Sequence, residues 1–190
     1  METKFYFWDV REDSDRYSEP ILMSELSKEI CQVCKAGYKK IVFPEKPVFI
    51  IKKRKKADSM RPIENNNIVS KKIQKILEEN HFTGYHLKDI EITNSDLFAK
   101  EEYKEMIVDG RCGYMADVEG NILPYCKECG VMYDDNNHRT GTKIHDWDGS
   151  DIFRMQNFKT PIVTERVKNI MEEAKLANVV FIDVEEFYFL

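Results

Sequence analysis

Tyr125-Cys126-Lys127-Glu128-Cys129-Gly130-Val131-Met132-Tyr133 holds the more complete of two Cys-x-x-Cys pairs in this 190-residue chain. The other is Cys31-Gln32-Val33-Cys34, with Tyr38 following at the spacing at which Tyr133 follows Cys129. Two such pairs supply four thiolates, enough for one tetrahedral metal, and a glycine directly after the second cysteine suits the tight turn that aims two sulfurs at one ion. The pattern predicts a structural zinc held by Cys31, Cys34, Cys126 and Cys129 in a zinc-ribbon-like site. Four sulfurs leave no coordination position open for water or substrate, so the site is read as structural and the chain as no enzyme.

The cysteine pairs recur at an offset of 95, and a second feature recurs at 94. Ile68-Val69-Ser70-Lys71-Lys72-Ile73-Gln74-Lys75-Ile76-Leu77-Glu78-Glu79 matches Ile162-Val163-Thr164-Glu165-Arg166-Val167-Lys168-Asn169-Ile170-Met171-Glu172-Glu173. Beyond it, Phe82, Leu87, Asp89 and Ile90 fall opposite Leu176, Phe181, Asp183 and Val184. Two independent features at nearly one spacing predict an internal duplication, with halves 1–95 and 96–190 docked as one compact unit. The predicted class is α+β, each half running Cys knuckle, β segments, helix and strand. Ser70 or Thr164 is expected to cap the first turn of its helix through the hydroxyl. Ile73, Ile76 and Leu77, or Val167, Ile170 and Met171, form one apolar stripe per helix. Thr83-Gly84 or Ala177-Asn178 is expected to end it, and β-rich tails follow over 85–92 and 179–189.

Around these units, residues 4–10 read as an aromatic strand, 11–20 as a loop, and 39–51 as β segments broken by Pro44 and Pro47. Residues 93–108 read as polar and partly helical. No apolar run reaches the roughly 18 residues of a membrane span, and the first residues lead into the aromatic strand rather than a signal peptide. A cytosolic location is the expectation, and in a reduced compartment paired cysteines read as metal ligands before disulfides. Cys112, the fifth cysteine, is read as a plain structural thiol.

Charge divides unevenly: 18 basic against 15 acidic side chains in residues 1–95, and 11 against 19 in residues 96–190, or +3 against −8. The acidic second half argues against a general nucleic-acid binder and suits a basic protein partner. Lys52-Lys53-Arg54-Lys55-Lys56 is the one basic run; without interleaved aromatics it reads as a solvated loop, and a zinc-ribbon nucleic-acid module stays the alternative.

Rival chemistry fits less well. A two-Cys two-His site from Cys126, Cys129, His138 and His145 has too long a histidine gap, and His81 and His86 fall opposite Lys175 and Val180 in the repeat. A zinc deaminase requires Pro-Cys-x-x-Cys after a His- or Cys-x-Glu segment, and Tyr125 separates Pro124 from Cys126. There is no zinc-protease helix motif, nucleophile elbow or phosphate-binding glycine loop.

The two Cys-x-x-Cys pairs, Gly130, the segment Trp147-Asp148-Gly149-Ser150-Asp151-Ile152-Phe153-Arg154, and then Ile162-Val163-Thr164-Glu165-Arg166-Val167 resemble the bacterial double-CXXCG motif proteins. The likeness runs from Cys31 to about Val184, with Lys35 standing where the first pair lacks its glycine. The resemblance implies an immunity protein, a cytosolic, non-enzymatic antidote to a toxin passed between neighbouring cells. Its partner would then be a cognate protein toxin, met by acidic loops that include Asp134, Asp135 and Asp146.

Overall fold

The computed structural model describes residues 3–10, 19–52, 56–62, 66–93, 103–133 and 139–189. Over these described residues the fold is mixed α+β, mostly strands, with two helices, α1 (Lys71–Glu79) and α2 (Glu165–Glu173). No helix among the described residues is long and apolar enough to cross a membrane.

Two sheets form the frame. One runs Ser59–Met60, Ile68–Val69, Lys104–Val108, Tyr85–Asp89; the other runs Gly110–Arg111, Ile152–Arg154, Ile162–Thr164, Phe5–Asp9, Val180–Asp183. Each takes one inner strand from the far half of the chain. Lys104–Val108 lies between Ile68–Val69 and Tyr85–Asp89, while Phe5–Asp9 lies between Ile162–Thr164 and Val180–Asp183. The registers correspond: Lys104 sits opposite Val69 and Asp89, and Tyr6 opposite Val163 and Asp183. The exchange means that neither of these two sheets is built from one half of the chain alone.

The expected apolar stripes are buried. Ile73 and Leu77 of α1 and Val167 and Met171 of α2 share one core with Tyr6, Trp8, Met106 and Ile152. Full burial of one such side chain stabilises the fold by about 1.5–3 kcal/mol, so this shared core fastens the halves independently of any metal.

Three local expectations are corrected. Ser70 and Thr164 are the N-cap residues but make no side-chain cap bond. The Ser70 hydroxyl instead donates to the Asp58 carboxylate at 2.7 Å. The helices end at Glu79 and Glu173, four residues before Thr83-Gly84 and Ala177-Asn178, because His81 and Lys175 turn the chain left-handed at φ 51° and 49°. Residues 104–108, expected to be partly helical, are the exchanged strand; Glu105, Met106 and Val108 are buried there, and cross-strand pairing together with the β-branched Ile107 and Val108 outweighs the weak strand propensity of Lys104 and Glu105. Residues 94–102 of that stretch lie outside the described residues.

Several contacts between the halves come in reciprocal pairs. The Asp58 carboxylate accepts the amide of Ala177 at 2.7 Å, and the Asp151 carboxylate accepts the amide of Thr83 at 3.0 Å. Lys72 Nζ donates to the Ala174 carbonyl at 2.7 Å, and Arg166 Nη2 to the Asn80 carbonyl at 2.6 Å. Both cations thereby satisfy the carbonyl-rich end of the opposite helix, where the helix dipole favours positive charge.

Candidate metal centre

Each knuckle is a short turn closed on itself. Lys35 N donates to Cys31 O at 2.9 Å and Gly130 N to Cys126 O at 2.7 Å. Both residues lie in the left-handed region, Lys35 at φ 56° and Gly130 at φ 77°. Lysine thus occupies a conformation glycine enters without penalty, and the first turn matches the second.

The first knuckle sits at the tip of a ribbon formed by Ser27–Ile30 and Tyr38–Val42. The second stands on the body of the protein, where Leu123 and Met132 pack against the core around Phe7 and Phe153. They meet face to face. Cys31 Sγ lies 3.9 Å from Cys126 Sγ, Cys34 Sγ lies 3.5 Å from Cys129 Sγ, and all four sulfurs fall within 4.8 Å of one another. A tetrahedron of zinc–sulfur bonds of about 2.3 Å has edges of about 3.8 Å, so the four sulfurs fit such an ion closely. Cys31 and Cys126 are buried, while Cys34 and Cys129 are half-buried.

The charge pattern points the same way. Amides of Ala36 and, more weakly, Gly37 bond the Cys34 sulfur and pull its thiol down to about 6. Cys126 is also lowered, chiefly by the Cys129 amide. At Cys129 the Val131 amide is outweighed by burial and by the three neighbouring sulfurs, which push the thiol up to about 12. Negative charge is favoured at Cys34 and Cys126 and opposed at Cys129, which is the condition a divalent cation relieves.

Gly37 is a member of the site that spacing alone did not single out. A Cβ at Gly37 would lie 2.9 Å from both Cys129 Sγ and Val131 Cβ, so the glycine lets the knuckles close on each other. Its sequence signal is slight, a glycine three residues after Cys34. Lys39 Nζ reaches Glu128 Oε1 at 2.7 Å across the same junction. The pair raises the lysine and lowers the carboxyl, but at this exposure it contributes little stability.

The remaining candidates lie elsewhere. Cys112 is buried in the core beside Phe7 and Phe153, and burial pushes its thiol up to about 12. His86 pairs with Asp109 at 2.6 Å, and His145 Nε2 lies 2.7 Å from the Tyr114 carbonyl. Among the described residues the four cysteines are the one group placed to hold a metal. Asp146 is exposed, with Oδ2 3.1 Å from His145 Nδ1. Asp134, Asp135, His138 and residues 53–55 of the basic run lie outside the described residues.

No protein-family model matches the chain, and a search of curated proteins gave no match.

Proposed function

We propose that this chain is an immunity protein: a non-enzymatic antidote that binds and neutralises a cognate bacterial toxin in the cytosol, with a structural zinc joining its halves. The observation that carries the reading is the closed four-thiolate cluster shared between the two knuckles, 3.5 and 3.9 Å across. Such a site fixes a binding surface in place and leaves no position for a reacting water. The resemblance of residues 31–184 to the double-CXXCG motif proteins supports the partner class.

We further infer that the halves arose by duplication. The knuckle turns, the registers around the exchanged strands and the carboxylate-to-amide contacts each recur at offsets of 93 to 98 residues, and reciprocity of this kind is what an approximate two-fold axis produces. The toxin-facing surface is drawn from the acidic second half. Asp146 is its described member, and long-range attraction to a basic toxin cleft would speed association.

The test is co-expression with the product of the adjacent gene. The expected result is a stoichiometric complex whose association slows with salt, and slows again when Asp134, Asp135 and Asp146 are neutralised together. A chain that co-purifies with nucleic acid and ignores the neighbouring protein would favour the zinc-ribbon nucleic-acid module instead.

A further inference from the structure

Arg61 and Arg154 occupy matching places in the two sheets. Met60 pairs with Ile68 one residue before Arg61, and Phe153 pairs with Ile162 one residue before Arg154. Arg61 is fully engaged: its guanidinium meets Asp9 at 3.0 Å, the Trp8 carbonyl at 2.8 Å and Asn67 Oδ1 at 3.2 Å. Burial alone would lower this arginine, and the Asp9 carboxylate opposes that.

Arg154 lacks that partner. By strand register the position corresponding to Asp9, which faces Val180, is Ile107, which faces His86. An apolar side chain therefore stands where the carboxylate would be. Among the described residues the Arg154 side chain makes no hydrogen bond or ion pair, although it is half-buried; a second guanidinium, that of Arg111, repels it, and the Asp109 carboxylate, already paired with His86, attracts it only from beyond contact. Leaving a desolvated cation unpaired is costly, and an anion beside it recovers that cost.

Space for the anion is present. Arg154 and Ile107 line a cavity of about 340 Å³ together with Lys88 and Lys159 on the polar side and Ile41 and Phe43 on the apolar side. One carboxyl group, that of Glu105, also lines it and is bonded by Asn66 Nδ2 at 3.0 Å, so the lining sets three basic side chains against one acidic one. Lys88 donates to the Pro44 carbonyl at 2.8 Å, and Lys159 is exposed at the rim.

We propose that this cavity binds a compact organic anion, a carboxylate or phosphate group on a short apolar stem, with the head on Arg154 in the role Asp9 plays for Arg61 and the stem against Ile107 and Phe43. A volume of this order suits a small metabolite-sized ligand. The site is separate from the cysteine cluster and does not depend on the toxin reading.

The test titrates the full-length, zinc-loaded protein with two probes, butyrate and inorganic phosphate, at constant ionic strength in chloride, followed by amide chemical shifts. Saturable binding of either probe, with shifts centred on Arg154 and Ile107, is expected, and which probe binds identifies the head group. Arg154→Met should weaken binding by about tenfold or more. Ile107→Asp supplies the missing carboxylate and should abolish it. Lys159→Met, at an exposed position that leaves the core intact, should weaken it by a smaller factor and keeps the test open should Arg154→Met unfold. No saturable binding by either probe below about 50 mM, or binding that survives Ile107→Asp and Lys159→Met unchanged, overturns the proposal.

Discussion

The two knuckles have the same turn and contribute to the same cluster, but they stand on different ground. The second is built onto the body: Leu123 and Met132 pack into the core, and Tyr125 stacks on Tyr114 with ring centroids 4.0 Å apart. The first rides on a two-stranded ribbon whose Ile30, Val33, Tyr38 and Val42 are 53, 69, 44 and 45% exposed. An isolated two-stranded ribbon is marginally stable in water at best. Identical local geometry therefore need not mean identical dependence on a bound metal: the body supports the second turn, whereas the first has only its ribbon and that ribbon's limited contacts with the body, and an ion in the cluster would hold it most.

Metal removal tests this most directly and should give the largest effect. The zinc-loaded chain is expected to carry one ion, and Cys31→Ser to lose stoichiometric zinc. Structural zinc contributes on the order of 10 kcal/mol in small peptides. Here the helices and both sheets have a core of their own, so chelation should loosen the ribbon and leave the fold standing. In hydrogen exchange, the amides of Cys31 and Lys35 should lose protection by about a hundredfold or more, and those of Cys126 and Gly130 by less than about tenfold. Equal loss at both knuckles would remove the distinction, and global unfolding would show that the core cannot sustain the halves.

The next contrast lies in the reciprocal aspartates. Asp58 is buried and holds Ser70 Oγ and the Ala177 amide, both at 2.7 Å. Asp151 holds the Thr83 amide at 3.0 Å and Arg166 at 3.2 Å, in a more exposed setting. Removing a buried acceptor strands its donors, while water can replace an exposed one. Asp58→Ala should cost about 2–4 kcal/mol and Asp151→Ala about 1–2 kcal/mol, read from urea midpoints. A reversed order would mean that the Arg166 contact outweighs burial.

These contrasts mark where sequence reading stops. The cysteine spacing carried the cluster, and the 3.6-residue stripe of Ile73 and Leu77 carried the helix, because both signals are local and periodic. The partner of Phe5–Asp9 was not legible: alternation tells which face of a strand is buried, not which strand lies beside it, and the pairing spans more than 150 residues of chain. Lys104–Val108 was obscured by its own composition, since the buried Glu105 interrupts the apolar pattern and is bonded by Asn66, distant in sequence. The helix ends were missed because His81 and Lys175 adopt positive φ, where sequence signals lead one to expect glycine or asparagine.

The smallest expected effect isolates the turn from its surroundings. Lys35 and Gly130 make the same amide-to-carbonyl bond at left-handed φ, 56° and 77°. A side chain in that region costs about 1–2 kcal/mol, while glycine gives back about 0.5–1 kcal/mol through the freedom it has in the unfolded chain. Lys35→Gly should therefore stabilise the zinc-loaded protein by about 0.5 kcal/mol, and Gly130→Ala should destabilise it by about 1 kcal/mol. Without metal the two should diverge. The ribbon is then loosened, so relieving strain at Lys35 has little left to act on and its gain should vanish, whereas the penalty at Gly130 should persist because the core still holds that turn. Urea unfolding of both variants with and without zinc measures the difference. A Lys35→Gly gain of equal size in the presence and absence of metal would mean that the first knuckle is ordered without the cluster, and that the two halves are alike in support as well as in shape.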